Sequence, residues 1–143
     1  VSLGAVAEDL IALWRGPIED KGLQLTVRSV MSEQSSGILY NATFLHAVMG
    51  NLLRNALHYT DRGFITLTLQ HEGFLVEDSG VGSPEEKREA MFEPFVRGNE
   101  QRGEGLGLGL SLVQRICENQ GWIVSLSPME PHGCRFSVKL TAV

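Results

Sequence analysis

The sequence predicts an α+β fold, a two-layer sandwich with helices on one face of a sheet. Three observations predict it. Segments 3–20 and 42–59 repeat apolar residues at helical spacing. Short apolar or alternating segments between turn residues read as strands. The stretches 122–126 and 135–140 read as a closing hairpin, which makes the late strands antiparallel. At 143 residues the chain has the length of one domain.

The elements follow in order. Leu3, Val6, Ala7, Leu10, Leu13 and Trp14 form the apolar stripe of the first helix, and Gly22 follows near its end. Leu23, Leu25 and Val27 alternate with Gln24, Thr26 and Arg28, the pattern of a half-buried strand. Residues 32–37 form a turn region, and 38–40 read as a short strand. The helix over 42–59 carries the broadest stripe, Leu45, Val48, Met49, Leu52, Leu53, Ala56 and Leu57, with Asn41 or Thr43 as its cap. A turn at Asp61-Arg62-Gly63 leads to strands 64–70 and 74–77, paired around His71-Glu72-Gly73. Residues 84–91 read as a short helix with proline in its first turn, and 106–119 as a helix entered from a run of glycines.

Composition excludes several functions. Twelve basic residues against seventeen acidic ones give a net charge of −5, which argues against a general nucleic-acid binder. No apolar run approaches the ~20 residues of a membrane span, and no signal-peptide pattern opens the chain. Cys117 and Cys134 lie outside any CxxC pair, so neither a disulfide framework nor a zinc site organises the fold. Reduced cysteines in a cytosolic setting are expected.

Glycine is the informative excess. Seven of the 16 glycines fall between positions 80 and 109, a window that suggests backbone approaching something closely, or a surface loop. Upstream, Asn51, Asn55 and His58 share an arc of roughly 60° on the helix over 42–59. An Asn carbonyl ligates a hard cation such as Mg²⁺ and its amide donates to phosphate; a solvated helix face is the alternative. In Asp78-Ser79-Gly80-Val81-Gly82, glycines at alternate positions leave room for a flat ring, and the Asp78 carboxylate can accept from an exocyclic amine. A plain β-turn explains the same residues. Gly105-Leu106-Gly107-Leu108-Gly109-Leu110 enters a helix whose free N–H groups suit an anion, with Arg97 and Arg102 upstream. The run is neither a Walker loop nor a dinucleotide fingerprint.

Together, NLLRNALHYT (51–60), EDSGVG (77–82), MFEPFVRG (91–98) and GEGLGLGLSLVQRI (103–116) resemble the N, G1, F and G2 boxes of sensor histidine kinases. The resemblance covers the whole chain and implies a single catalytic and ATP-binding domain of the Bergerat type. Its sheet would be mixed and largely antiparallel, covered by three main helices, with a flexible lid over 84–104. It implies that Asn55 binds Mg²⁺, supported by Asn51. It places Asp78 on adenine, Gly80 and Gly82 beneath the base, and Tyr59 along the pocket. Arg97 would contact phosphate, Gly105, Gly107 and Gly109 would form the G2 cradle, and Phe92 and Phe95 would anchor the lid. ATP and Mg²⁺ are the implied cofactors.

Three departures stand out. His58 occupies a position where Lys or Arg is common, which makes a γ-phosphate contact weaker or pH-dependent. Leu106 replaces a small or polar residue. His46, His71 and His132 lack the phosphoacceptor pattern, so the substrate histidine is expected on a segment before Val1. The hydrolysing cousins carry a water-activating Glu where this chain has Asn51, so slow intrinsic hydrolysis is expected. The implied partners are the phosphoacceptor and dimerisation domain of the same kinase, in a homodimer, and a response regulator receiver domain. A cytoplasmic location within an inner-membrane sensor is implied, with no nucleic acid and no membrane contact by the domain itself. The alternatives are a degenerate nucleotide-binding docking module, a phosphatase-biased domain and a stand-alone ATPase.

Overall fold

Each described helix starts or stops for a local chemical reason. The computed structural model describes residues 1–32, 37–60, 62–79, 106–128 and 133–141. Along the chain they form α1 (Leu3–Asp20), β1 (Gln24–Ser29), α2 (Ala42–Tyr59), β2 (Phe64–Gln70) and β3 (Gly73–Asp78). After these come α3 (Leu106–Gln120), β4 (Ile123–Pro128) and β5 (Cys134–Lys139). Ser2 caps α1 by accepting from the Ala5 N–H at 3.2 Å, and Asn41 caps α2 through the Phe44 N–H at 3.0 Å. The C-terminus of α1 closes as a Schellman turn. The Leu23 N–H donates to the Ile18 carbonyl at 3.1 Å and the Gly22 N–H to that of Glu19 at 2.9 Å. Gly22 supplies the left-handed φ of +84° that this reversal needs. At the end of α3, Gly121 has a φ of +75° and the Trp122 N–H donates to the Cys117 carbonyl at 2.8 Å.

The strand order is β1-β2-β3-β5-β4. β1 and β2 are parallel, joined by a crossover that contains α2, and every other neighbouring pair is antiparallel. The sheet is therefore mixed and largely antiparallel, as expected. Gln70 pairs with Gly73 across a two-residue turn. A side chain at Gly73 would run into the Val138 carbonyl of β5, so only glycine lets the strands approach there.

Alternation decides the layers. Ile65, Leu67 and Leu69 of β2, Phe74 and Val76 of β3, and Phe136 and Val138 of β5 are buried on one face. On the other face, Glu77 and Arg135 pair across the strands in a 3.0 Å ion pair. The buried face meets Leu3, Val6 and Leu10 of α1, Leu45, Val48, Met49, Leu52 and Leu53 of α2, and Leu110 and Val113 of α3 in one core. α2 contacts both other helices and so forms the middle of the helical layer.

Two details differ from the sequence reading. Residues 38–40 make no strand; Leu39 forms a single antiparallel bridge with Ser2. The Tyr40 N–H donates to the Val1 carbonyl at 2.7 Å, so the segment ties the start of the chain to the entry of α2. Leu13 is 61% exposed, because it lies about 80° around α1 from Leu3, at the margin of the stripe. The short helix expected over 84–91 lies outside the described residues.

Candidate functional site

The last turns of α2 and the end of β3 bring the polar candidates to one end of the sandwich. Asn55 is only 4% exposed, and its Oδ1 has no hydrogen-bond partner among the described residues. A buried amide oxygen left unpaired costs roughly 1–3 kcal/mol, so its position needs a reason. Asn51, one turn earlier, is half-buried. Its Nδ2 donates to the Ala47 carbonyl at 2.6 Å, folding the side chain back on its own helix. His58 is half-buried in the final turn, and Tyr59 is the last residue of α2. The shared arc exists, but only Asn55 has been taken fully out of water.

Asp78 ends β3 and is 2% exposed. It pairs across the ladders with Ile65 of β2 and Cys134 of β5, so its side chain lies on the helix-covered face. Two features hold this strand end. Ser79, the next residue, is bonded to the segment that leaves α2. Its Oγ accepts from the Phe64 N–H at 2.9 Å and donates to the Arg62 carbonyl at 3.2 Å. Its N–H donates to the Phe64 carbonyl at 3.1 Å. Gly133, with a φ of +120°, stands where any side chain would collide with the Asp78 carbonyl. The carboxylate is thus carried on backbone fixed from both sides.

α3 begins at Leu106, and Gly107, Leu108 and Gly109 fall in its first turn. The first turn of any helix has N–H groups without intrahelical acceptors. Gly80, Gly82, Arg97, Arg102 and Gly105 lie outside the described residues, as do Phe92, Phe95 and the expected lid. Sequence reasoning missed Thr60, Ser79 and Gly133. Thr60 is fully buried, and its hydroxyl has no partner among the described residues. The periodicity of α2 stops one residue before it, so no pattern announced its burial. Gly133 was detectable only as a glycine just before a strand.

The residues present fit a hard cation and a nucleotide. A neutral amide oxygen held dry and unpaired on Asn55 is the kind of ligand Mg²⁺ takes when phosphate oxygens and water supply the others. A buried carboxylate at a strand end is an acceptor suited to an exocyclic amine.

Comparisons with known proteins bear on the family and the fold. The family described as "Histidine kinase-, DNA gyrase B-, and HSP90-like ATPase" matches residues 40–143. The sensor protein TorS of Escherichia coli K12 is 30% identical over 137 residues, which is 93% of this chain and 15% of TorS. The nucleotide-free catalytic domain of the histidine kinase ThkA superposes with a TM-score of 0.83 at 23% identity, covering 99% of this chain and 94% of that one. Full-length ShkA, solved in complex with AMPPNP, gives 0.79 at 24% identity, with 100% of this chain and 31% of ShkA covered. The chain spans less than a third of TorS and of full-length ShkA.

Proposed function

This chain belongs to the histidine kinase-, DNA gyrase B- and HSP90-like ATPase family, among relatives that are sensor histidine kinases, and from that premise we propose that it binds Mg·ATP and phosphorylates a histidine on a separate phosphoacceptor and dimerisation domain. A response regulator then receives the phosphoryl group. The observation that carries the reading is the buried, unpartnered Asn55 Oδ1 on the same end of the sandwich as the buried Asp78.

The roles follow from chemistry. Asp78 accepts from the adenine amine. Asn55 holds Mg²⁺, which when bound neutralises charge on the phosphates. Gly105, Gly107 and Gly109 open the N-terminus of α3 to phosphate oxygens, and Arg97 and Arg102 approach the same oxygens. The same proposal assigns Gly80 and Gly82 to the floor under the base and residues 84–104 to the lid. An acceptor imidazole nitrogen attacks the γ-phosphorus, the bond to the bridging oxygen breaks, and ADP leaves; the imidazole N–H proton passes to solvent. Positioning and charge neutralisation carry such a transfer, and no strong base is needed from this chain. Among the described residues no helix is long and apolar enough to cross a membrane. We place the domain on the cytoplasmic side of a membrane sensor that dimerises through its phosphoacceptor segment.

A docking or phosphatase-biased module is the second reading. It is favoured by the Asn51 amide, which is spent on the Ala47 carbonyl, and by His58 and Leu106 at positions where the kinases carry other residues. One assay separates the two. Radiolabelled ATP is incubated with this domain and a phosphoacceptor segment of a relative, and acid-labile, base-stable label is sought. Label that vanishes in Asn55→Ala, with the fold intact by circular dichroism, supports the kinase. No label despite tight ATP binding supports the docking module. Asp78→Asn is expected to weaken adenine-nucleotide binding by ~1–3 kcal/mol. Equal ATP and GTP affinity in the parent would remove the base-reading role.

A further inference from the structure

Resting on the nucleotide-binding reading, we infer that Thr60 is a second base-contacting residue, its hydroxyl donating to an acceptor ring nitrogen of adenine beside the amine that Asp78 takes. The starting observation is an uncompensated cost. Thr60 is 0% exposed, and its Oγ1 has no hydrogen-bond partner among the described residues. A hydroxyl can donate and accept, and burying it with neither satisfied is unfavourable. None of the described residues completes it, which leaves the hydroxyl available to a ligand.

Placement says what that is. Thr60 follows α2 in an extended conformation, φ −108° and ψ 110°, with its N–H on the Ala56 carbonyl at 3.1 Å. Two residues later the chain is clamped to Ser79, the neighbour of Asp78, through Arg62 and Phe64. A side chain at Gly63 would meet Ser79, so the two segments touch closely. The residue that carries the unpaired hydroxyl and the residue that carries the buried carboxylate are therefore on segments locked together. Thr60 also lies five positions beyond Asn55, about 7.5 Å further along the helix direction. Cation ligand first and base reader second is the order an extended nucleotide requires.

The chemistry is complementary. The edge of adenine presents an amine donor next to a ring-nitrogen acceptor. Asp78 supplies an acceptor and Thr60 a donor. Guanine presents a carbonyl and a ring N–H in those places and mismatches both groups.

Calorimetry tests this with Mg·ATP and with its 1-deaza analogue, in which the ring nitrogen is replaced by CH. The parent and Thr60→Ser are expected to favour ATP roughly tenfold, the scale of one net hydrogen bond. Thr60→Val should bind ATP roughly tenfold more weakly, bind the analogue as the parent does, and melt no lower without nucleotide. If Thr60→Val keeps the parent's preference for ATP, the inference is overturned. It is equally overturned if Thr60→Val melts lower and loses both nucleotides alike, since that is a structural role. A parent that binds neither nucleotide fails at the proposed function itself; a parent that binds ATP, with Thr60→Val keeping the parent's ATP affinity and its preference over the analogue, fails only here.

Discussion

α1 and α2 are both 18-residue helices, both are capped by a polar side chain at their N-termini, and both pack on the same sheet, yet they end differently. α1 stops at a left-handed glycine followed by a buried apolar residue, Leu23, and α3 repeats the device with Gly121 and Trp122. α2 has no such glycine. It runs into Thr60, buried and extended, and its last turns carry the unpaired Asn55 oxygen. Where a helix only has to stop, the chain uses the cheapest reversal available. Where, on the proposed reading, it delivers polar atoms to a ligand, it keeps buried oxygens without partners among the described residues. On the proposed reading the Asn55 and Thr60 oxygens mark the ligand-binding end; unsatisfied burial alone does not, since Trp14 Nε1 of α1 is also buried without a partner among the described residues.

The largest effect is expected in the shared core. Leu52→Ala empties a fully buried site in the middle of α2 and should cost ~2–5 kcal/mol in urea unfolding, as should Leu10→Ala in α1. A marked inequality would show that the two helices do not share one core. Next is Cys117 in α3. Burial, with Glu118 adding, pushes its thiol up to about 12 from an ordinary value of 9.0. The folded pKa is raised, so this contribution is intact below about 9 and is lost as pH climbs through about 12. Unfolding between these limits should be up to ~1.4 kcal/mol per pH unit steeper in the parent than in Cys117→Ala. Equal slopes would place the thiol in water.

Gly121→Ala forces a side chain into the left-handed region and should cost ~1–2 kcal/mol, with nucleotide affinity unchanged. Asn55→Leu is the counterpart at the functional helix end. It removes an unpaired buried acceptor, so stability should hold or rise by up to ~1–3 kcal/mol while phosphotransfer is lost. A loss of several kcal/mol would mean that Asn55 is structural and would sink the contrast. The smallest effect is expected at the exposed Arg15–Glu19 pair, 3.8 Å apart on α1, where Arg15→Ala should cost ~0.3–0.5 kcal/mol, less in high salt.

Much of the fold was legible. The limits of α2 and β2 follow from stripes and turns, and the β2–β3 and β4–β5 hairpins from alternation around turn residues. Leu13 and residues 38–40 were misjudged because local pattern does not report where a neighbouring element ends. At the site, Asn55 and Asp78 were legible as residue types in telling places. Their burial was not, nor was the folding back of Asn51 onto Ala47. Thr60 gave no signal, because a polar residue just past a helix normally faces water.

The order of boxes, the periodicity of the helices and the placement of turn glycines depend on neighbours along the chain, so the amino-acid sequence alone determined the α+β class and the family. Which polar groups lose their water depends on residues far apart in sequence. The parallel pairing of β1 with β2, the Ser79 clamp and the approach of Gly133 to Asp78 arise only when distant segments are brought together. Desolvation is a property of that assembly, and it leaves the oxygens of an ordinary asparagine and an ordinary threonine buried with no partner among the described residues.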